Sequence, residues 1–96
     1  MAESTKVRWH VIFSGNVQHV GFRYTAYYFT LQLYITGWVD NLEDGTVEME
    51  AQGNPLQLQK LLSKLKGQFR ITHVDVEKID PIPYERKFSV RGYSGY

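Results

Sequence analysis

At 96 residues, with 11 Lys+Arg against 10 Asp+Glu and a formal net charge of +1, the chain has the size of one domain. It lacks the basic bias that proteins wrapping duplex DNA usually carry, which counts against that class. Hydrophobic residues at 43% and charged residues at 22% make an ordinary globular mixture and exclude intrinsic disorder, while the absence of cysteine rules out disulfide scaffolds, thiolate zinc sites and cysteine nucleophiles.

The opening residues, Met1-Ala2-Glu3-Ser4-Thr5-Lys6, are polar, lack the apolar run of a signal peptide, and are expected to be flexible. Val7 to Ser14 alternates Val7, Trp9, Val11 and Phe13 with Arg8, His10 and Ile12, which predicts a strand with one buried face. A glycine-bracketed connection, Gly15 to Gly21, follows. From Phe22 the period changes: Phe22, Ala26, Phe29 and Leu33 fall on one stripe of a helix.

Ile35 to Leu42 reads as a second strand, and an Asp44-Gly45 turn leads into a third over Thr46 to Gln52, with Val47, Met49 and Ala51 inward. Asn54 and Pro55 are the N-cap and first residue of a second helix. Its Leu58, Leu61, Leu62, Leu65 stripe is expected to close at Gly67. Ile71 to Ile79 is a fourth strand, Asp80 to Pro83 a stiff turn, and Lys87 to Arg91 a short last strand. Trp9 and Trp38 read as packing residues, and His10 and His73 as structural or surface histidines without a carboxylate partner. Glu48, Glu50, Asp75 and Glu77 read as a solvated sheet face.

The order predicts an α+β domain over residues 1–96, a ferredoxin-like split β-α-β-β-α-β sandwich. Its antiparallel sheet carries two helices on one face and a short extra C-terminal strand. Right-handed crossover makes strands one and two parallel, with strand three between them. Their carboxyl ends then lie about 10 Å apart at two strand spacings. The Gly15–Gly21 loop and Asn41 are thus expected side by side.

A glycine-bracketed loop feeding a helix N-terminus offers unpaired backbone N–H groups to an anion. Arg23, in the first helical turn, can aim a planar guanidinium at the same anion. By itself this pattern also describes a plain strand-to-helix connection with a surface arginine.

The stretch Gly15-Asn16-Val17-Gln18-His19-Val20-Gly21-Phe22-Arg23 resembles the acylphosphatase signature G-x-V-Q-G-V-x-F-R. Gly37-Trp38-Val39-Asp40-Asn41, followed by Gly45-Thr46-Val47 and Gly53, is similar to that family's second pattern, and Tyr84 to Arg91 to its last strand. The resemblance implies hydrolysis of the carboxyl–phosphate anhydride of an acyl phosphate, small or protein-borne. It makes Arg23 the phosphate-binding arginine and Asn41 the residue that orients the attacking water. Gly15, Asn16, Val17, Gln18, His19 and Val20 become the phosphate cradle. It also implies no metal and no cofactor; the balanced charge, the lack of cysteine and of a membrane-length apolar run, and the small size lead us to expect no nucleic-acid or membrane partner and a cytoplasmic monomer.

Two residues depart from the pattern. His19 stands at a glycine position of the cradle, where a positive φ would cost roughly 1 kcal/mol or more. It reads as a tolerated substitution. Asp40 stands where the family is often basic; strand alternation is expected to point it away from Asn41 while it lowers the field at the mouth. Among rivals, an RNA-recognition module would need aromatic residues on strand three, which here is Thr46-Val47-Glu48-Met49-Glu50-Ala51-Gln52. A non-catalytic phosphate-binding domain of the same fold is the remaining alternative.

Overall fold

The computed structural model describes residues 5–92. Of the six residues expected to be flexible, Met1 to Ser4 lie outside the described residues, and Thr5 and Lys6 are exposed. The elements run β1 (Val7–Asn16), α1 (Phe22–Leu33), β2 (Thr36–Asn41), β3 (Val47–Gly53), α2 (Pro55–Gln68), β4 (Arg70–Ile79) and β5 (Phe88–Val90). Sheet order is β4-β1-β3-β2-β5. β3 pairs antiparallel with both β1 and β2, placing it between two parallel strands. The short last strand joins β2 in parallel, so the sheet is mixed and not wholly antiparallel.

Alternation on β1, β2 and β3 turns Val11, Phe13, Val39, Val47, Met49 and Ala51 toward the helices, and all are buried. They meet Phe22, Ala26 and Leu33 of α1 and Leu58, Leu61 and Leu65 of α2. Each of the fully buried Val, Leu, Phe and Met side chains among them contributes about 1.5–3 kcal/mol from its removal from water. Phe22 links the layers, its ring 4.9 Å from both Phe13 and Phe69.

On α1 the buried stripe uses Thr30 where Phe29 was expected. The Thr30 hydroxyl donates to the Tyr27 carbonyl 2.6 Å away, so it enters the core satisfied, and Phe29 instead lies under Lys64 of α2 at 5.2 Å. α2 begins as expected, with Asn54 Oδ1 accepting from the Leu56 N–H at 2.9 Å. It does not close at Gly67 but continues to Gln68. Phe69 then turns directly into extended backbone to pack on Phe22, so no left-handed glycine cap is required.

The helix-free face of the sheet is not simply solvated. Arg8 is 0% exposed. Its Nε donates to Glu50 at 2.7 Å, and its Nη1 to Glu85 at 2.8 Å and to Gln52 at 3.1 Å. Gln52 in turn exchanges hydrogen bonds with both backbone groups of Ile82. This cluster straps the β4–β5 connection across the sheet. The histidines also have carboxylate partners, His10 with Glu48 at 2.7 Å and His73 with Asp75 at 3.5 Å. The first pair lies on a diagonal between β1 and β3, and the second joins residues two apart on one face of β4.

Candidate active site

The loop between β1 and α1 is shaped by its glycines and anchored by its apolar residue. The β1–β4 register shifts between Ser14 and Gly15, and Gly15 has φ +122. A Cβ there would lie 2.5 Å from the Arg70 carbonyl oxygen and 2.8 Å from the Thr72 nitrogen, so a side chain would collide with the backbone of β4. Val17, 1% exposed, turns into the core and pins the loop from within. Gln18 braces it from the side: its amide donates to the carbonyls of Leu42 at 2.7 Å and Thr46 at 2.8 Å. The loop is thereby tied to the β2–β3 hairpin.

His19 adopts φ 63, the left-handed conformation that its family glycine would take without strain. Its side chain stands exposed on the rim. Gly21 caps α1 at φ 81 with no side-chain capping bond and no acidic residue in the first turn. The first amides of α1 are therefore left for an anion, with the positive end of the dipole behind them.

Arg23 leaves the first turn of α1 and donates from Nη1 to the Arg91 carbonyl. Among the described residues it forms no ion pair within 4.0 Å. Asn41 ends β2, and its Oδ1 is buried with no hydrogen-bond partner. An orphaned buried acceptor costs about 1–3 kcal/mol, so the site holds it at a cost and awaits a donor.

These groups enclose one cavity of about 390 Å³, floored by Val17 and Phe22 and rimmed by His19, Gly21, Tyr24 and Gly92, with Arg23 and Asn41 in its walls. Thus Arg23, Asn41, Val17 and His19 come together. Gly15, Asn16, Gln18 and Val20 shape the loop without lining the cavity. Two lining residues, Tyr24 and Gly92, were not singled out in the sequence. One helical turn from Gly21 would have suggested Tyr24, but nothing local announces that the chain beyond β5 returns to this end of the sheet.

Asp40 also departs from expectation. Its backbone alternates away from Asn41, yet its carboxylate occupies the space where a Cβ on Gly92 would go, and that Cβ would lie 3.4 Å from Arg23 Nη1. The carboxylate therefore reaches the rim. Among the described residues no group of three or more His, Asp or Glu side chains is placed to hold a metal ion.

A family model described as acylphosphatase matches residues 9–90. The chain belongs to the acylphosphatase family. It is 41% identical over 86 residues to an acylphosphatase of Geobacillus thermodenitrificans, covering 86% of this chain and 92% of that one. An acylphosphatase of Geobacillus kaustophilus is 40% identical over 92 residues, covering 93% of this chain and 98% of the relative. Among solved structures, the acylphosphatase from Coxiella burnetii superposes with a TM-score of 0.82 at 35% identity, covering 90% and 93% of the two chains. The acylphosphatase reading and the ferredoxin-like fold both stand, and the chain is a hydrolase of the acyl phosphate anhydride.

Proposed function

We propose that Arg23 and the backbone amides of the Asn16–Val20 loop bind the phosphoryl group of an acyl phosphate, and that Asn41 holds the attacking water. The observation that carries this division of labour is that Asn41, whose buried Oδ1 has no hydrogen-bond partner, lines the same cavity as Arg23. Oδ1 accepts a hydrogen bond from the water, and the Asn41 amide adds no charge that would repel a dianion.

Attack by the water oxygen forms a new P–O bond as the bond from phosphorus to the acyl oxygen breaks. The acyl group departs as a carboxylate, a weak base that needs no general acid. The water proton leaves to a phosphoryl oxygen or to solvent. What the protein supplies is position and a fixed positive field: guanidinium, loop amides and helix dipole, all organised before the substrate arrives. The cysteine-free sequence suits a reducing cytoplasm, and a monomer suffices because the described cavity is built from one chain.

The test is hydrolysis of benzoyl phosphate in EDTA by the wild type, Arg23→Ala and Asn41→Ala. Each variant should lose about 10²–10³-fold in kcat, the usual loss for a single charge-stabilising donor, while keeping its circular dichroism. Full activity in either variant would remove that residue from the mechanism. A folded wild type that binds phosphate but turns over no acyl phosphate would favour the binding-only alternative.

A further inference from the structure

The helical side of the molecule carries charge of one sign. Neither α1 nor α2 contains an Asp or a Glu, whereas Glu48, Glu50, Asp75 and Glu77 lie on strands of the sheet behind them. The net charge of +1 for the whole chain spoke against a membrane partner but conceals this segregation, which only the fold reveals. Three cavities adjoin on this side, of about 430, 510 and 420 Å³. Tyr34 lines the first two, and Leu56 and Lys60 line the first and third. Lys6, Lys60, Lys64, Arg86 and Lys87 stand around them, with no acidic side chain in any of the three linings among the described residues. None of these cations forms an ion pair within 4.0 Å among the described residues. Apolar side chains stand out between them, Tyr34 at 86% exposed, Leu56 at 66% and Leu31 at 54%.

We infer that this face docks on the surface of an anionic lipid bilayer, its cations against the headgroup phosphates and Tyr34, Leu31 and Leu56 at the boundary with the acyl chains. Cations without a counter-charge of their own are drawn to a negative surface, and each adds to the attraction. Tyrosine suits that boundary because its ring is apolar while its hydroxyl stays wet. Lysine and arginine stems lie along apolar surface with their charges in water. Two other occupants fit less well. A second copy of the chain would set cations against cations. An acidic protein would bring its own anchor side chains into pockets, whereas here the projecting anchors belong to this chain. Tyr34 caps α1 at the end away from Gly21 and the phosphate loop, one helix length or about 18 Å distant, so docking there does not cover the catalytic cavity.

The experiment is co-sedimentation with vesicles of phosphatidylglycerol and phosphatidylcholine, set against vesicles of phosphatidylcholine alone. The wild type should bind the anionic vesicles about tenfold or more tightly than the neutral ones at low ionic strength, and the preference should shrink in salt. Lys60→Glu combined with Lys87→Glu should weaken that binding at least about tenfold. Tyr34→Ser should weaken it about three- to tenfold, since affinity also scales with the apolar area inserted. Asp75→Lys makes the chain more positive on the sheet instead, and should leave binding within about twofold. All three variants should keep the circular dichroism and the benzoyl phosphate turnover of the wild type, which certifies that each is folded. Failure of the wild type to sediment with the anionic vesicles would overturn the inference, as would equal binding to neutral ones or indifference to Tyr34→Ser. Strengthening by Asp75→Lys as large as the loss in the double variant would reduce the effect to net charge and overturn it too. Tighter binding to polyglutamate than to the anionic vesicles would give the face to an acidic protein instead.

Discussion

Two arginines at opposite ends of the molecule use the same side chain in opposite ways. Arg8 is fully buried and surrounded by its counter-charges, Glu50 and Glu85, with Gln52 beside them. Burial alone would push its pKa down, but the hydrogen bonds and charges of Glu85 and Glu50 outweigh that and raise it. Arg23 is partly exposed, is held by one neutral carbonyl, and forms no ion pair among the described residues. The charge of Arg8 is matched by two carboxylates, and its Nη2, though unpartnered, is buried away from any ligand. The Arg23 guanidinium, steadied by a carbonyl and outside ion-pair distance of any carboxylate among the described residues, remains open to a ligand. The sheet separates the roles: the strap lies on the helix-free face, and the phosphate loop lies at the end where strands β1 and β2 open.

The largest expected effect is therefore a crossed one. Arg8→Ala leaves two partly buried carboxylates unpaired. Removing one partner from a buried pair costs about 3 kcal/mol or more, which in a domain this size lowers Tm by on the order of 10–20 °C. Below its new Tm the variant should keep kcat/KM within about twofold, because the cavity does not include the strap. Arg23→Ala should show the reverse, with turnover lost and Tm nearly unchanged. Thermal melts and kinetics on the two variants decide the matter. If Arg8→Ala is inactive while still folded, or Arg23→Ala melts as early as Arg8→Ala, the separation of roles is wrong.

A smaller effect is expected at the join between loop and hairpin. Gln18 reaches from the cradle to two carbonyls of the β2–β3 turn. Gln18→Leu keeps much of the side-chain volume but removes both donors. It should cost about 1–2 kcal/mol in stability and reduce kcat/KM about tenfold by letting the cradle amides drift from the phosphate. Gln18→Leu with wild-type kinetics would mean that Gly15 and Val17 hold the loop unaided.

Much of this was legible in the sequence, and for identifiable reasons. Alternation and helical period are local, so every strand and both helices could be read. The split β-α-β-β-α-β order then forced the Gly15–Gly21 loop and Asn41 together. What escaped depends on distant partners. Alternation placed Arg8 on the outward face, yet nothing near it announces Glu85, and the strap forms only when the β4–β5 connection folds back over the sheet. Gly92 entered the site unforeseen for the same reason, and brought Asp40 to the rim with it. On α1, Thr30 is fully buried and Phe29 only partly, packed against the core's edge, because the Thr30 hydroxyl is satisfied within its own helix, which a hydrophobic stripe cannot reveal. The loop itself followed its glycine pattern, including the positive φ at His19.

The turn that receives Gln18 carries its own pH dependence. Asp44 Oδ1 accepts from the Thr46 hydroxyl at 2.6 Å and from the Thr46 N–H at 3.0 Å. Those two donors, the hydroxyl first, stabilise the charged form and hold the Asp44 pKa below the ordinary aspartate value. A lowered folded-state pKa means the added stability is complete above the ordinary aspartate pKa and is lost as pH falls through the lowered one. Leu42 and Thr46 close this same turn, with the Leu42 N–H donating to the Thr46 carbonyl at 2.9 Å, so loosening it slackens the carbonyls that Gln18 grips. Hydrogen exchange at the Thr46 amide reads the effect directly. Its protection should be flat from neutral pH down to the ordinary aspartate value and then decline, and Asp44→Ala should show the lowered protection already at pH 7. Because Asp44 is fully exposed, the change is confined to the turn, and Tm should barely move. Unaltered Thr46 protection in Asp44→Ala would assign the turn to its backbone bond and Gly45 alone, and with it would go the link between acid and the phosphate loop.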